Sequence, residues 1–140
     1  MNKDIRNQKS MKTKAVTFLV STIIAGLFFI ACAQTANFKT VSPQEFQKLM
    51  NEKDTIVLDV RTPEEVSEGK IPNAINIDFY SDTFEQELSK LDKSKTILVY
   101  CRSGRRGAST AEILTKKGYK VINLEGGISN WQSEGLPIQK

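Results

Sequence analysis

Apolar positions fall into two kinds of run along this chain. The first is one block, Ala15 to Ala31, seventeen residues without a charge, preceded by Lys12 and Lys14. The second kind recurs after residue 50 as short runs separated by polar, Gly-containing or Pro-containing segments. Thr55 to Val60 and Thr96 to Tyr100 are nearly all apolar, rich in branched side chains, and too short for helices. That is the pattern of strands buried on both faces. Ala74 to Ile77 and Val121 to Leu124 read as two further strands. Between them lie segments with helical signals. Ser42-Pro43-Gln44-Glu45 and Thr62-Pro63-Glu64-Glu65 each place a hydroxyl at the cap, Pro in the first turn and Glu three residues after the cap. The first helix is expected to run to about Asn51, and the second to stop near Gly69. Thr83 to Leu91 carries Phe84, Leu88 and Leu91 on one side, and Ala108 to Lys117 reads as a helix closed by Gly118. A turn at Gly126-Gly127 leads to a last helix over Ile128 to Ser133. Strand and helix alternate, so the fold class is α/β with a parallel sheet covered by helices.

The first apolar block belongs to a different job. A basic start, an uncharged core and the ending Phe29-Ile30-Ala31-Cys32 form a signal-peptide layout with a lipobox, in which Cys32 would be diacylated and become the new N-terminus. Residues 1–31 are read as signal peptide, 32–37 as a tether, with the chain still irregular to Lys39, and 38–140 as the domain. An uncleaved anchor and ordinary cleaved secretion are the alternatives, and all three place the domain outside the cytoplasm. The lipid-anchored form puts it in the cell envelope, on the periplasmic side of a bacterial membrane. Met11 makes a more compact signal start than Met1.

Charge changes its meaning once divided along the chain. The whole sequence carries a net +4, but residues 1–31 hold five Lys/Arg and one Asp, which leaves fifteen basic and fifteen acidic residues from Cys32 onward. The basic balance therefore describes the export segment and gives no support to a nucleic-acid partner. The chain has no histidine, which removes Ser-His-Asp and Cys-His catalysis and His-ligated metal. Of its two cysteines, Cys32 sits at the processing site, so a structural pairing with Cys101 is not expected.

Chemistry concentrates in Cys101-Arg102-Ser103-Gly104-Arg105-Arg106-Gly107, which follows a buried strand and precedes a helix. Ligands bind at that edge of open α/β sheets. Loop amides and a helix N-terminus converge there on an anion. Together with Arg102, Arg105 and Arg106 they favour a thiolate, or a persulfide, on Cys101. Asp59 and Arg61, at another strand end, are read as an ion pair or cap that supports the site.

These motifs resemble the rhodanese family over about residues 38–138. The resemblance rests on the Cys101 loop, on Leu58-Asp59-Val60-Arg61 with Glu64-Glu65, and on Gly69-Lys70-Ile71-Pro72-Asn73-Ala74-Ile75-Asn76-Ile77. Gly118-Tyr119, Leu124-Glu125-Gly126-Gly127-Ile128, Trp131 and Gly135-Leu136-Pro137 complete it. It implies a five-stranded parallel sheet with helices on both faces and sulfur transfer from a donor such as thiosulfate to a thiol or cyanide. The sulfur passes through a persulfide on Cys101, without metal or cofactor. The backbone from Arg102 to Arg106 is the implied substrate cradle, with Arg106 holding an anionic donor and Arg102 and Arg105 at the entrance. Lys70 stands where many relatives have His, and Gly107 where Ser or Thr is common at the start of the next helix. An envelope thiol reductant is an expected companion, because a lone reactive thiol outside the cytoplasm is exposed to oxidation. Two other functions use the same cysteine: a tethered persulfide carrier or binding module, and a phosphatase or arsenate reductase. Loops of the last kind place five residues between Cys and Arg, whereas four separate Cys101 from Arg106.

Overall fold

A computed structural model describes residues 37–140 of the 140-residue chain. The segment read as an export signal and the predicted lipidation site Cys32 lie outside the described residues. The elements are β1 (Lys39–Val41), α1 (Pro43–Leu49), β2 (Thr55–Asp59), α2 (Pro63–Ser67), β3 (Ile75–Asn76), α3 (Phe84–Leu88), β4 (Thr96–Tyr100), α4 (Arg105–Lys116), β5 (Lys120–Leu124) and α5 (Gly127–Ser133). All strands are parallel, in the order β1-β5-β4-β2-β3. β2 and β4 align Thr55 with Thr96 and Asp59 with Tyr100, so the Asp59 end of β2 lies beside the residue that precedes Cys101.

Period-two alternation divides the core into two layers. Ile97 and Val99 face α3 and α4, with Phe84, Leu88, Ala111 and Leu114. Leu98 and Tyr100 face the other way, with Phe46 of α1 and Ile128 and Trp131 of α5. The Phe46 and Trp131 rings meet edge to face at 6.2 Å, and both side chains are fully buried. Both predicted caps form: Ser42 accepts from the Glu45 N–H, and Thr62 with Glu65 makes a reciprocal capping box.

Four boundaries differ from the sequence reading. Lys39, read as the end of irregular chain, opens β1, a three-residue edge strand whose two exposed positions give no alternation to detect. The helices α1 and α3 are shorter than expected, ending at Leu49 and Leu88. The helix expected from Ala108 begins at Arg105, so Arg105, Arg106 and Gly107 belong to its first turn. Gly104 reverses the chain in a left-handed conformation (φ 96°), and its carbonyl accepts the Ala108 N–H at 2.9 Å. Among the described residues no helix is long and apolar enough to cross a membrane.

Candidate active site

Cys101 follows β4 at the carboxyl edge of the sheet and is 1% exposed. Its Sγ accepts a hydrogen bond from the Gly104 N–H at 3.1 Å, across the turn that opens α4. The N–H groups of Arg102, Ser103, Arg105 and Arg106 make no hydrogen bond to another described residue, which leaves them able to donate to an anion. The loop's carbonyls, by contrast, are occupied. Ile128 N–H donates to the Cys101 carbonyl at 2.9 Å, and Ser129 N–H to that of Arg102 at 3.1 Å. This contact depends on Gly127, where an added Cβ would lie 2.4 Å from the Cys101 carbonyl oxygen at φ 60°. The Gly126-Gly127 turn thus pins the loop through its Cys101 and Arg102 carbonyls.

The three arginines divide. Arg102 and Arg105 are exposed and form no salt bridge among the described residues. Arg106, read as the cation for an anionic donor, is instead held by Glu65: Nη1 donates to Oε2 at 2.8 Å and Nη2 to Oε1 at 2.7 Å. The bidentate hydrogen bonds hold the Glu65 carboxyl at about 2, well below its ordinary 4.5, and raise Arg106 in turn. The Arg106 guanidinium also stands 5.5 Å from the ring centre of Tyr80, a largely exposed residue. Positive charge at the loop that remains unpaired is therefore that of Arg102 and Arg105. Ser103 is exposed beside them.

Gly107 is the third residue of α4, buried, and does not occupy a cap position, which belongs to Gly104. Its missing side chain is required by packing, because a Cβ there would come within 2.5 Å of Asn123 Oδ1. That oxygen is buried and accepts no hydrogen bond among the described residues. Lys70, at the other departure from the family pattern, donates to the Ala74 carbonyl at 2.8 Å.

Asp59 and Arg61 form a buried pair behind the loop. The Arg61 guanidinium donates to Asp59 through Nε and Nη2, the latter at 2.7 Å, and caps the carbonyls of Glu65 and Gly69. Tyr100 completes the network, its hydroxyl donating to Asp59 at 2.6 Å and accepting the Ile71 N–H. Burial opposes the Arg61 charge, but the hydrogen bond and attraction of Asp59 outweigh it and raise its pKa. Burial and the Asp59 carboxylate push the Tyr100 phenol well above its ordinary range. Neither Asp59 nor Arg61 hydrogen-bonds the Cys101 loop, so the pair anchors the β2 end and the 61–71 segment. Among the described residues no group of three His, Cys, Asp or Glu side chains is placed to hold a metal ion.

Sequence reasoning missed three residues here. Glu65 was visible as a cap, but its reach to Arg106 crosses 41 positions. Tyr100 read as one more apolar strand residue, and Asn123 as part of a strand.

The profile of the rhodanese-like domain matches residues 42–134. The chain belongs to the rhodanese-like domain family. A sulfurtransferase of Allochromatium vinosum is 37% identical over 66% of this chain and 85% of its own length. The thiosulfate sulfurtransferase GlpE of Coxiella burnetii is 32% identical over 69% of this chain and 89% of its own. A rhodanese-related protein of Thermoplasma volcanium superposes with a TM-score of 0.66 at 31% identity, over 73% of this chain and 98% of that one. The rhodanese-like fold, a five-stranded parallel sheet flanked by helices, is thus shared with relatives named as sulfurtransferases.

Proposed function

We propose that this rhodanese-like domain is a thiosulfate-type sulfurtransferase working through a persulfide on Cys101, held at the bacterial envelope by a lipid on Cys32. The observation that carries the reading is the hydrogen bond from the Gly104 N–H to Cys101 Sγ at the start of α4, beside amides with no other described partner. Such a cradle stabilises sulfur-borne negative charge in the thiolate and in the persulfide alike. In the first step the thiolate attacks the outer sulfur of thiosulfate; the S–S bond breaks and sulfite leaves with the bonding pair. In the second, an acceptor thiolate or cyanide attacks the outer sulfur of the persulfide and Cys101 departs as thiolate, so no external oxidant is consumed. Arg102 and Arg105 draw the anionic donor to the loop, while the near-complete burial of Cys101 suits transfer of a single sulfur atom. An envelope thiol reductant returns oxidised Cys101 to service.

Intact mass of the purified chain before and after thiosulfate tests the reading. A gain of one sulfur atom, lost on cyanide and absent in Cys101→Ser, is expected. An unmodified chain with thiosulfate and with other sulfane donors, or turnover unchanged in Cys101→Ser, would overturn it.

A further inference from the structure

The pole of the domain opposite Cys101 carries a charge that the sequence total conceals. In a parallel sheet with returning helices, strand starts and helix ends collect at one edge. Here the segments that lead into β2, β4 and β5, residues 48–54, 89–96 and 116–120, lie at that edge. Backbone and side chains tie these segments together. Thr96 N–H donates to the Asp54 carbonyl at 2.9 Å, Lys93 Nζ to that of Lys117 at 3.0 Å, and Tyr119 Oη to those of Leu88 and Leu91. The three segments hold eight lysines (48, 53, 90, 93, 95, 116, 117 and 120) against Glu52, Asp54 and Asp92, whereas the rest of residues 37–140 carries seven basic and twelve acidic side chains. A domain neutral in sum is thus strongly polarised along its strands. Lys117 pairs with Glu85 of α3 at 3.0 Å; Lys48, Lys53, Lys90, Lys95, Lys116 and Lys120 form no salt bridge among the described residues.

The chain enters the domain at this same pole. β1 is parallel to β5 and pairs Lys39 with Ile122, so Asn37 is level with Lys120 at the amino edge. Four residues separate Cys32 from Asn37, and the five steps between them reach about 17 Å when extended. We infer that the lysine pole docks on an anionic phospholipid surface, which turns the Cys101 loop away from the membrane, about 17 Å up the length of β4. Anchor and patch have separate tasks: a diacylated Cys32 holds the chain at the surface, and the patch sets which pole of the domain faces the bilayer. The inference rests on the lipid-anchor part of the proposed function and is independent of the chemistry of Cys101.

Lysine acetylation read by mass spectrometry, on the full chain bound to vesicles, tests it. In vesicles containing phosphatidylglycerol, Lys53, Lys95, Lys116 and Lys120 should label about threefold more slowly than in pure phosphatidylcholine, while Lys70 and Lys140 label alike in both. The difference should vanish near 1 M salt, where the screening length is about 3 Å. Reversing Lys53, Lys95 and Lys120 to Glu should abolish the protection that remains readable at Lys116 and leave persulfide formation on Cys101 intact. A chain that sediments with both vesicle types but labels equally overturns the docking alone; one that sediments with neither overturns the anchor as well. Protection of the same lysines by duplex DNA but not by vesicles would assign the pole to a nucleic acid and also overturn the inference.

Discussion

Replacing Glu65 by Gln keeps the shape of the side chain and removes the charge that clamps Arg106. In the native domain the pair makes two charge-assisted hydrogen bonds at 2.7 and 2.8 Å, with 18% of the Glu65 and 16% of the Arg106 side chain exposed. A carboxyl held at about 2 rather than 4.5 sets a ceiling of about 3 kcal/mol on its contribution. Partial solvent screening lowers the expected loss to about 1–2 kcal/mol. For a domain of this size that is a fall in Tm of roughly 5–10 °C at pH 7. The sign with pH follows from the lowered value. The stabilisation is complete above the ordinary carboxyl pKa of 4.5, declines as pH falls from there, and is gone below about 2. The difference between native and Glu65→Gln chains, measured by urea unfolding from pH 7 down to pH 3, should therefore shrink to roughly half or less. A constant difference across that range would refute the reasoning, because it would place the effect in packing or in the α2 cap rather than in the ion pair.

Asp59→Asn leaves the Arg61 guanidinium buried without its countercharge and should cost about 3–5 kcal/mol in chemical denaturation; a loss under about 1 kcal/mol would contradict the buried network. Tyr100→Phe in the same network removes the hydrogen bond to Asp59 and leaves the Ile71 N–H without its acceptor, and about 2–4 kcal/mol is expected by the same measurement. Gly127→Ala drives a methyl group into the Cys101 and Arg102 carbonyls, so about 1–3 kcal/mol of stability and most persulfide formation should be lost together; normal behaviour in both would show that the turn does not hold the loop. Arg102→Gln and Arg105→Gln should each raise KM for thiosulfate several-fold with kcat little changed, and salt should weaken native binding the same way; an unmoved KM would remove both from donor capture.

Local pattern was enough for β2 to β5, for both hydroxyl caps, and for a cysteine at the carboxyl edge of a buried strand, because each depends on residues within one turn or one strand of each other. β1 escaped it. Three residues at a sheet edge, two of them exposed, have no period to read, and they become a strand only because β5 offers them hydrogen-bonding partners. The start of α4 escaped for a related reason, since Arg105 and Arg106 look like loop until Gly104 turns the chain beneath them. The division of labour among the arginines was decided wholly in three dimensions. Arg106 meets Glu65 across 41 residues, and nothing near either residue in the chain announces the other. Gly107 is likewise explained only by Asn123 on β5, whose side chain fills the space that a Cβ would need. Sequence by itself determined the fold class and singled out the Cys101 sulfur as the candidate reactive atom, both written in short-range hydrophobic order and residue chemistry. Tertiary structure alone decided which charges near that atom remain unpaired and how the lysines gather at the opposite pole, because charge acts through space and the chain order does not record those distances.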